Sequence, residues 1–146
     1  MLKGISKLLT GDLLKALSDM GHGDELVIAD ANFPADTVAK RLIRYPGIDG
    51  VTLARELVKV FPLDTYAEES ACVMELTQSD QAKGMPTPMI WGEYDAVLKK
   101  EYGEETTLGK IERFDFYERA KSAYLVIQTG EERQYGNLLL VKGVVL

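Results

Sequence analysis

Leu26–Ala29 is a short unbroken run of apolar residues, Leu-Val-Ile-Ala, with Glu25 before it and Asp30 after it. Successive side chains of a strand point to opposite faces, so an all-apolar strand needs cover on both. Glu25–Ala29 is therefore predicted as a buried strand of the parallel type, which calls for helices on both sides of its sheet. Met20-Gly21-His22-Gly23-Asp24 leads into it and Asp30-Ala31-Asn32-Phe33-Pro34 leads out. His22 is the only histidine of the chain and has a glycine on each side. The glycines let a ligand approach the backbone, and an imidazole exchanges protons near neutral pH. Asp30 stands just past the C-terminal end of the strand, where open α/β sheets place ligands. Two readings compete. In one, Gly21 caps a helix, His22 is a solvated loop residue and Asp30 opens a turn toward Asn32 and Pro34. In the other, His22 is an acid or base and Asp30 hydrogen-bonds a substrate.

The remaining periodicities fit the same frame. Thr10 caps a predicted helix over Asp12–Met20, with Leu13, Leu14, Leu17 and Met20 at helical spacing. Asp36 opens a predicted helical turn through Val38–Leu42, and Tyr45-Pro46-Gly47 is a turn. Val51–Phe61 reads as a helix ended by Pro62. Ala71–Leu76 reads as a strand, and Thr77–Pro88 as a loop, because Gly84, Pro86 and Pro88 oppose regular structure. Ile90–Tyr102 and Arg113–Lys121 read as helices, Tyr124–Thr129 and Leu138–Val145 as strands. Strands and helices alternate without a repeat or linker. The expectation is one α/β domain spanning residues 1–146, with a mainly parallel sheet flanked by helices.

The charge balance excludes some functions. Twenty-three acidic against 17 basic side chains leave a net charge of −6. A nucleic-acid groove or an anionic membrane surface needs the opposite field, so no nucleic-acid or membrane partner is expected. Cys72 is the only cysteine, and it lies in an apolar run that would bury its thiol. One histidine and one cysteine cannot build a structural zinc site, so no metal is expected. Lys3 and Lys7 are not followed by a signal-like apolar segment, and no run reaches a membrane span, which points to the cytoplasm.

Tyr135-Gly136-Asn137 follows a polar turn and precedes an apolar strand. A phenol and an amide offer donors and acceptors that suit sugar hydroxyls, and the glycine leaves the backbone open between them. A plain turn in which Asn137 bonds its own backbone uses the same residues.

Several motifs occur in one order: Met1-Leu2-Lys3, Leu14-Lys15-Ala16-Leu17, G-H-G-D-E at Gly21–Glu25, A-D-A-N-F-P at Ala29–Pro34, R-F-D-F-Y-E-R-A at Arg113–Ala120, and T-G-E-x-x-x-Y-G-N from Thr129. With them the chain resembles the L-fucose mutarotase and D-ribose pyranase family, and its fucose branch in particular. The resemblance runs the length of the chain and is weakest across Thr65–Lys110. It implies an enzyme that interconverts the α and β anomers of a free monosaccharide. His22 matches the family's proton donor. Asp30, Arg113, Tyr135, Gly136 and Asn137 match positions that contact the sugar. Asn32 stands where fucose-branch relatives often carry histidine. The resemblance also implies a ring-shaped homo-oligomer, a homodecamer, with sites shared between adjacent subunits.

Mutarotation moves two protons: the anomeric hydroxyl loses one as the ring oxygen gains one, and the open aldehyde recloses on either face. It needs no cofactor, and acid–base groups contribute roughly 10²–10⁴-fold. His22 is expected to protonate the ring oxygen. Asp30 is expected to orient His22 or to accept from sugar hydroxyls, and Arg113 to donate to them. Trp91, Phe114, Phe116 and Tyr117 are expected to pack in the core or an interface, and Glu104-Glu105 to be solvated. Two alternatives stand beside a fucose mutarotase: a D-ribose pyranase, and a sugar-binding protein without turnover.

Overall fold

The strand expected at Glu25–Ala29 forms at those residues, inside a six-stranded sheet. A computed structural model describes residues 1–146. Its elements are α1 (Gly11–Asp19), β1 (Glu25–Ala29), α2 (Ala35–Val38), β2 (Leu42–Tyr45), α3 (Gly50–Leu57), β3 (Ala71–Met74), α4 (Gln78–Ala82), α5 (Met89–Tyr102), β4 (Gly109–Ile111), α6 (Arg113–Ser122), β5 (Leu125–Thr129) and β6 (Leu138–Val141). The strand order is β2-β5-β1-β6-β3-β4. β1 is covered on both faces, as its composition requires. Leu26 and Ile28 join Leu125, Ile127, Leu138 and Leu140 in a core beneath α1, α3 and α5. Val27 and Ala29 join Val126 and Leu139 in a smaller core beneath α2 and α6.

β1 runs parallel to β5, β5 to β2 and β3 to β4, while β6 runs antiparallel to both β1 and β3. The chain leaves β5, crosses the end of β1 and returns as β6 on its other side. The connection Gly130–Asn137 is shorter than the dozen or so residues that a parallel crossover takes, so the return is antiparallel. This routing lays Tyr135, Gly136 and Asn137 over the C-terminal end of β1, beside Asp30.

Thr10 caps α1 as expected, its hydroxyl accepting from the Leu13 N–H at 3.3 Å. Other boundaries differ. Met20, in extended backbone, closes α1, and the glycine with positive φ is Gly23, not Gly21. The helical turn is Ala35–Val38, and Leu42 belongs instead to edge strand β2, whose ladder with β5 supplies what its composition does not. The stretch Thr77–Pro88 contains α4, capped by the Thr77 hydroxyl on the Asp80 N–H at 3.2 Å. The last strand stops at Val141; Lys142 pairs only with Leu63 in an isolated bridge, and a side chain at Gly143 would meet the Leu63 carbonyl oxygen at 2.5 Å. No helix is long and apolar enough to cross a membrane.

Candidate active site

Asp30 is buried at the exit of β1 and is matched to Asn137 atom for atom. Its N–H donates to Asn137 Oδ1 at 2.8 Å, and Asn137 Nδ2 donates back to Asp30 Oδ2 at 2.9 Å. The Asn32 N–H donates to Asp30 Oδ1 at 3.0 Å. Burial pushes the Asp30 carboxyl above the usual carboxylate range, against the opposing hydrogen bonds from Asn32 and Asn137. It therefore holds a proton more readily than a free aspartate and is a good acceptor for hydroxyl groups.

The turn that carries Asn137 is held from below. Tyr135 has φ 60°, the only non-glycine residue with a positive φ, and that conformation costs on the order of 1 kcal/mol. Trp91 Nε1 donates to the Tyr135 carbonyl at 3.1 Å, and the buried Tyr94 hydroxyl donates to the Gly136 carbonyl at 2.8 Å. Gly136 is required, since a Cβ there would sit 2.9 Å from the Glu131 side chain and 3.0 Å from the Arg133 carbonyl oxygen. Its role is to let the turn close. Glu131, buried, is held by Arg133 and by the Gly50 N–H at 3.3 Å.

A cavity of about 550 Å³ opens on this turn. Asp30, Arg113, Tyr135 and Asn137 line it, with Asn32, Tyr117 and Asp80 among the others. Arg113 is the first residue of α6 and rests over the Phe114 and Tyr117 rings at 5.8 and 5.6 Å. Its guanidinium has no hydrogen bond or ion pair within the chain, so its donors are free for a ligand. A cavity with acidic, amide, phenol and guanidinium groups around a wet interior suits a polyhydroxylated molecule.

His22 is not in this cavity. It lies before β1, at the opposite end of the strand from Asp30, and five strand residues separate them by on the order of 20 Å. Its Nε2 hydrogen-bonds Asp64 Oδ1 at 3.0 Å, and its ring tilts against Tyr66 with centroids 5.7 Å apart. The imidazole is 48% exposed and the Asp64 side chain only 6%. Burial pushes the Asp64 carboxyl upward, but the bond from His22 and the N–H groups of Tyr66 and Ala67 outweigh it and hold it below the usual range. Asp64 thus accepts the proton on His22 Nε2 and leaves Nδ1 without a partner in the chain. Asp64, not Asp30, orients the histidine of this chain.

Sequence reasoning did not select Asp64, Thr77 or Asp80, whose roles come from contacts distant in sequence. Tyr117, expected in the core or an interface, lines the cavity while packing on Phe33 at 5.6 Å. Trp91 and Phe116 are buried as expected, whereas Phe114 is exposed. Cys72 is buried and its thiol pushed up by that burial. No group of three or more His, Cys, Asp or Glu side chains is arranged to hold a metal ion.

Comparison with known proteins places the fold and the family. The chain is similar to the fucose mutarotase of Homo sapiens, with 50% identity over 147 residues, 99% of this chain and 94% of that protein. Its fold superposes on the crystal structure of the fucose mutarotase from Streptococcus pneumoniae in complex with L-fucose. The TM-score is 0.91 and the identity 41%, covering 99% of this chain and all of that one. Bacillus subtilis RbsD complexed with D-ribose is more distant, with a TM-score of 0.69 and 27% identity over the whole of both chains. Residues 3–145 match the RbsD / FucU transport protein family, and the chain belongs to it.

Proposed function

We propose that this chain is a mutarotase that interconverts the α and β anomers of L-fucose by acid–base-catalysed ring opening and closure. The observation that carries the reading is the cavity beside the Asp30–Asn137 pair, in a chain similar over its length to fucose mutarotases. The higher identity and TM-score against the fucose enzyme than against the ribose protein favour L-fucose over D-ribose.

Each group has a part that follows from its chemistry. Arg113 donates to sugar hydroxyls and Asp30 accepts from them. Asn137 has one amide hydrogen left after its bond to Asp30, which it offers to the ligand. Gly136 lets Tyr135 and Asn137 stand next to each other at the sugar. No lining residue of the cavity is a histidine or cysteine. The acid is therefore His22, the chain's only histidine, supplied by an adjacent copy of the chain in a ring-shaped homodecamer. Its half-exposed ring, fixed by Asp64 through Nε2 with Nδ1 unpartnered, suits delivery to a neighbour's cavity. Protonated Nδ1 gives its proton to the ring oxygen as the C1–O5 bond breaks, and the anomeric hydroxyl proton passes to a base of the site. Closure on the other face reverses both transfers.

Saturation-transfer NMR measures anomer exchange directly. The wild-type chain is expected to accelerate exchange of L-fucose well beyond its spontaneous rate, and D-ribose less. His22→Ala is expected to return it to the spontaneous rate. Tight L-fucose binding with no acceleration would instead identify a sugar-binding protein without turnover.

A further inference from the structure

The Tyr135 hydroxyl and the Asn137 amide together suggest donors and acceptors for a sugar. In the folded chain the Tyr135 hydroxyl is already engaged twice. It donates its proton to Asp80 Oδ2, with the Thr77 hydroxyl oxygen a longer second acceptor at 3.5 Å, and it accepts from the Thr77 N–H at 3.2 Å. Asp80 is itself held in place, its N–H bonded to the Thr77 hydroxyl at 3.2 Å at the start of α4. Thr77, Asp80 and Tyr135 all line the cavity with Asp30 and Arg113. The bond from Tyr135, helped by Thr77, Lys83 and Arg113, holds the Asp80 carboxyl below the usual range. A carboxylate so held cannot donate, so it fixes which way the phenol proton points.

We propose that Asp80 is a positioning residue of the mutarotase: by taking the Tyr135 hydroxyl proton it makes that hydroxyl a pure acceptor toward the sugar. The phenol oxygen has one lone pair left once Thr77 has bonded it, and a sugar hydroxyl must donate into it. Polarisation by the carboxylate strengthens that acceptor. The site then has a fixed polarity. Arg113 and the spare Asn137 amide hydrogen donate, while Asp30 and Tyr135 accept. The remote hydroxyls of the sugar must match that order, so Asp80 contributes to selecting the substrate without touching it. Tyr135's left-handed backbone and its carbonyl bond to Trp91 hold the ring where α4 can reach it.

The inference rests on the mutarotase reading, and the two fail separately. That reading fails if the wild-type chain does not accelerate L-fucose anomer exchange. The Asp80 proposal is tested by a double-mutant cycle of Asp80→Ala and Tyr135→Phe, reading exchange rate against L-fucose concentration together with binding by calorimetry. Each single variant is expected to lower kcat/KM about tenfold, mostly through KM, as loss of one well-placed hydrogen bond does. Asp80→Ala is expected to add nothing in the Tyr135→Phe background. Asp80→Asn, whose carbonyl oxygen can still accept the phenol proton, is expected to recover activity to within about threefold of wild type. Should Asp80→Ala not fold, Asp80→Asn decides the matter by itself, since a loss well beyond threefold would overturn the proposal. Additive losses from Asp80→Ala and Tyr135→Phe would overturn the proposal, since Asp80 would then act on the sugar or on the fold independently. An unimpaired Asp80→Ala enzyme would overturn it as well.

Discussion

Asp30 and Asp64 are both buried aspartates whose surroundings move them in opposite directions. Burial dominates at Asp30 and raises its proton affinity; at Asp64, burial is outweighed by three donors, His22 first among them. On acidification, Asp30 is expected to protonate before Asp64, which a carbon-13 NMR titration of the carboxyl groups resolves; the reverse order would contradict these environments. The stability linkage follows from the signs. Asp64's folded value lies below its unfolded one, so its contribution is present above about pH 3.9 and is lost as pH falls through the folded value. The deficit of Asp64→Asn in urea unfolding is therefore expected at neutral pH and to shrink in acid. Asp30 works the other way: its charge costs stability at neutral pH, and protonation relieves it. The pair with Asn137 makes Asp30 separable as a structural and a ligand-binding group. Asp30→Asn faces one amide with another, because the Asn32 and Asp30 N–H groups fix both oxygens, and the stranded donors are expected to cost about 1–3 kcal/mol. The exchanged pair D30N/N137D restores donor to acceptor. It is expected to recover most of the melting temperature but not the L-fucose affinity, since the charge has moved. Recovery of both would mean that the position of the charge is immaterial to the sugar.

The connection from β5 to β6 is the element that joins fold to site, and its support comes from α5. Tyr94 is fully buried, and its hydroxyl bonds the Gly136 carbonyl under the turn. Tyr94→Phe leaves that carbonyl without its donor, at an expected cost of about 1–3 kcal/mol. For a domain of this size each 1 kcal/mol lowers the melting temperature by about 2–4 °C. An unchanged melting temperature would show the turn to be self-supporting. Elements of this kind differ in how far the sequence discloses them. β1, β5 and β6 are built on the apolar runs Leu26–Ala29, Tyr124–Ile127 and Leu138–Val141 between turn residues, and burial on both faces leaves few other arrangements for them. β2 and β4 are edge strands of four and three residues. Arg44 and Lys110 interrupt their apolar pattern, and their order comes from the backbone of β5 and β3. α4 depends on one cap bond and has no buried residue, so no periodicity announces it. The same division runs through the site. Asp30, Tyr135, Gly136 and Asn137 sit in turns at strand ends, where position alone suggests a ligand, and Arg113 entered through resemblance. Asp64 and Asp80 become meaningful only through partners 42 and 55 residues away.

Across the whole molecule, the two halves of the proposed chemistry lie at opposite ends of the sheet. The sugar-binding groups collect at the C-terminal end of β1, and the proton-exchanging histidine stands with Asp64 at the other. Rotation of a side chain is too short a reach to close a gap on the order of 20 Å along a buried strand. Two copies related by a symmetry operator can close it, with one presenting His22 and the next presenting Arg113. This makes complementation the decisive experiment. His22→Ala and Arg113→Ala are each expected to show only spontaneous anomer exchange when assembled alone. Unfolded, mixed in equal amounts and refolded together, they are expected to form mixed assemblies in which some cavities belong to a His22→Ala chain and face a neighbour that retains its histidine. Random assortment leaves roughly a quarter of the sites with both halves intact, and about that fraction of the wild-type rate is expected. Light scattering on the same sample is expected to give one assembly several times the mass of the chain. If mixing restores nothing while the assembly forms, the histidine and the arginine do not meet across a subunit boundary. A monomer that keeps full activity would require them to meet within one chain, which this fold does not permit.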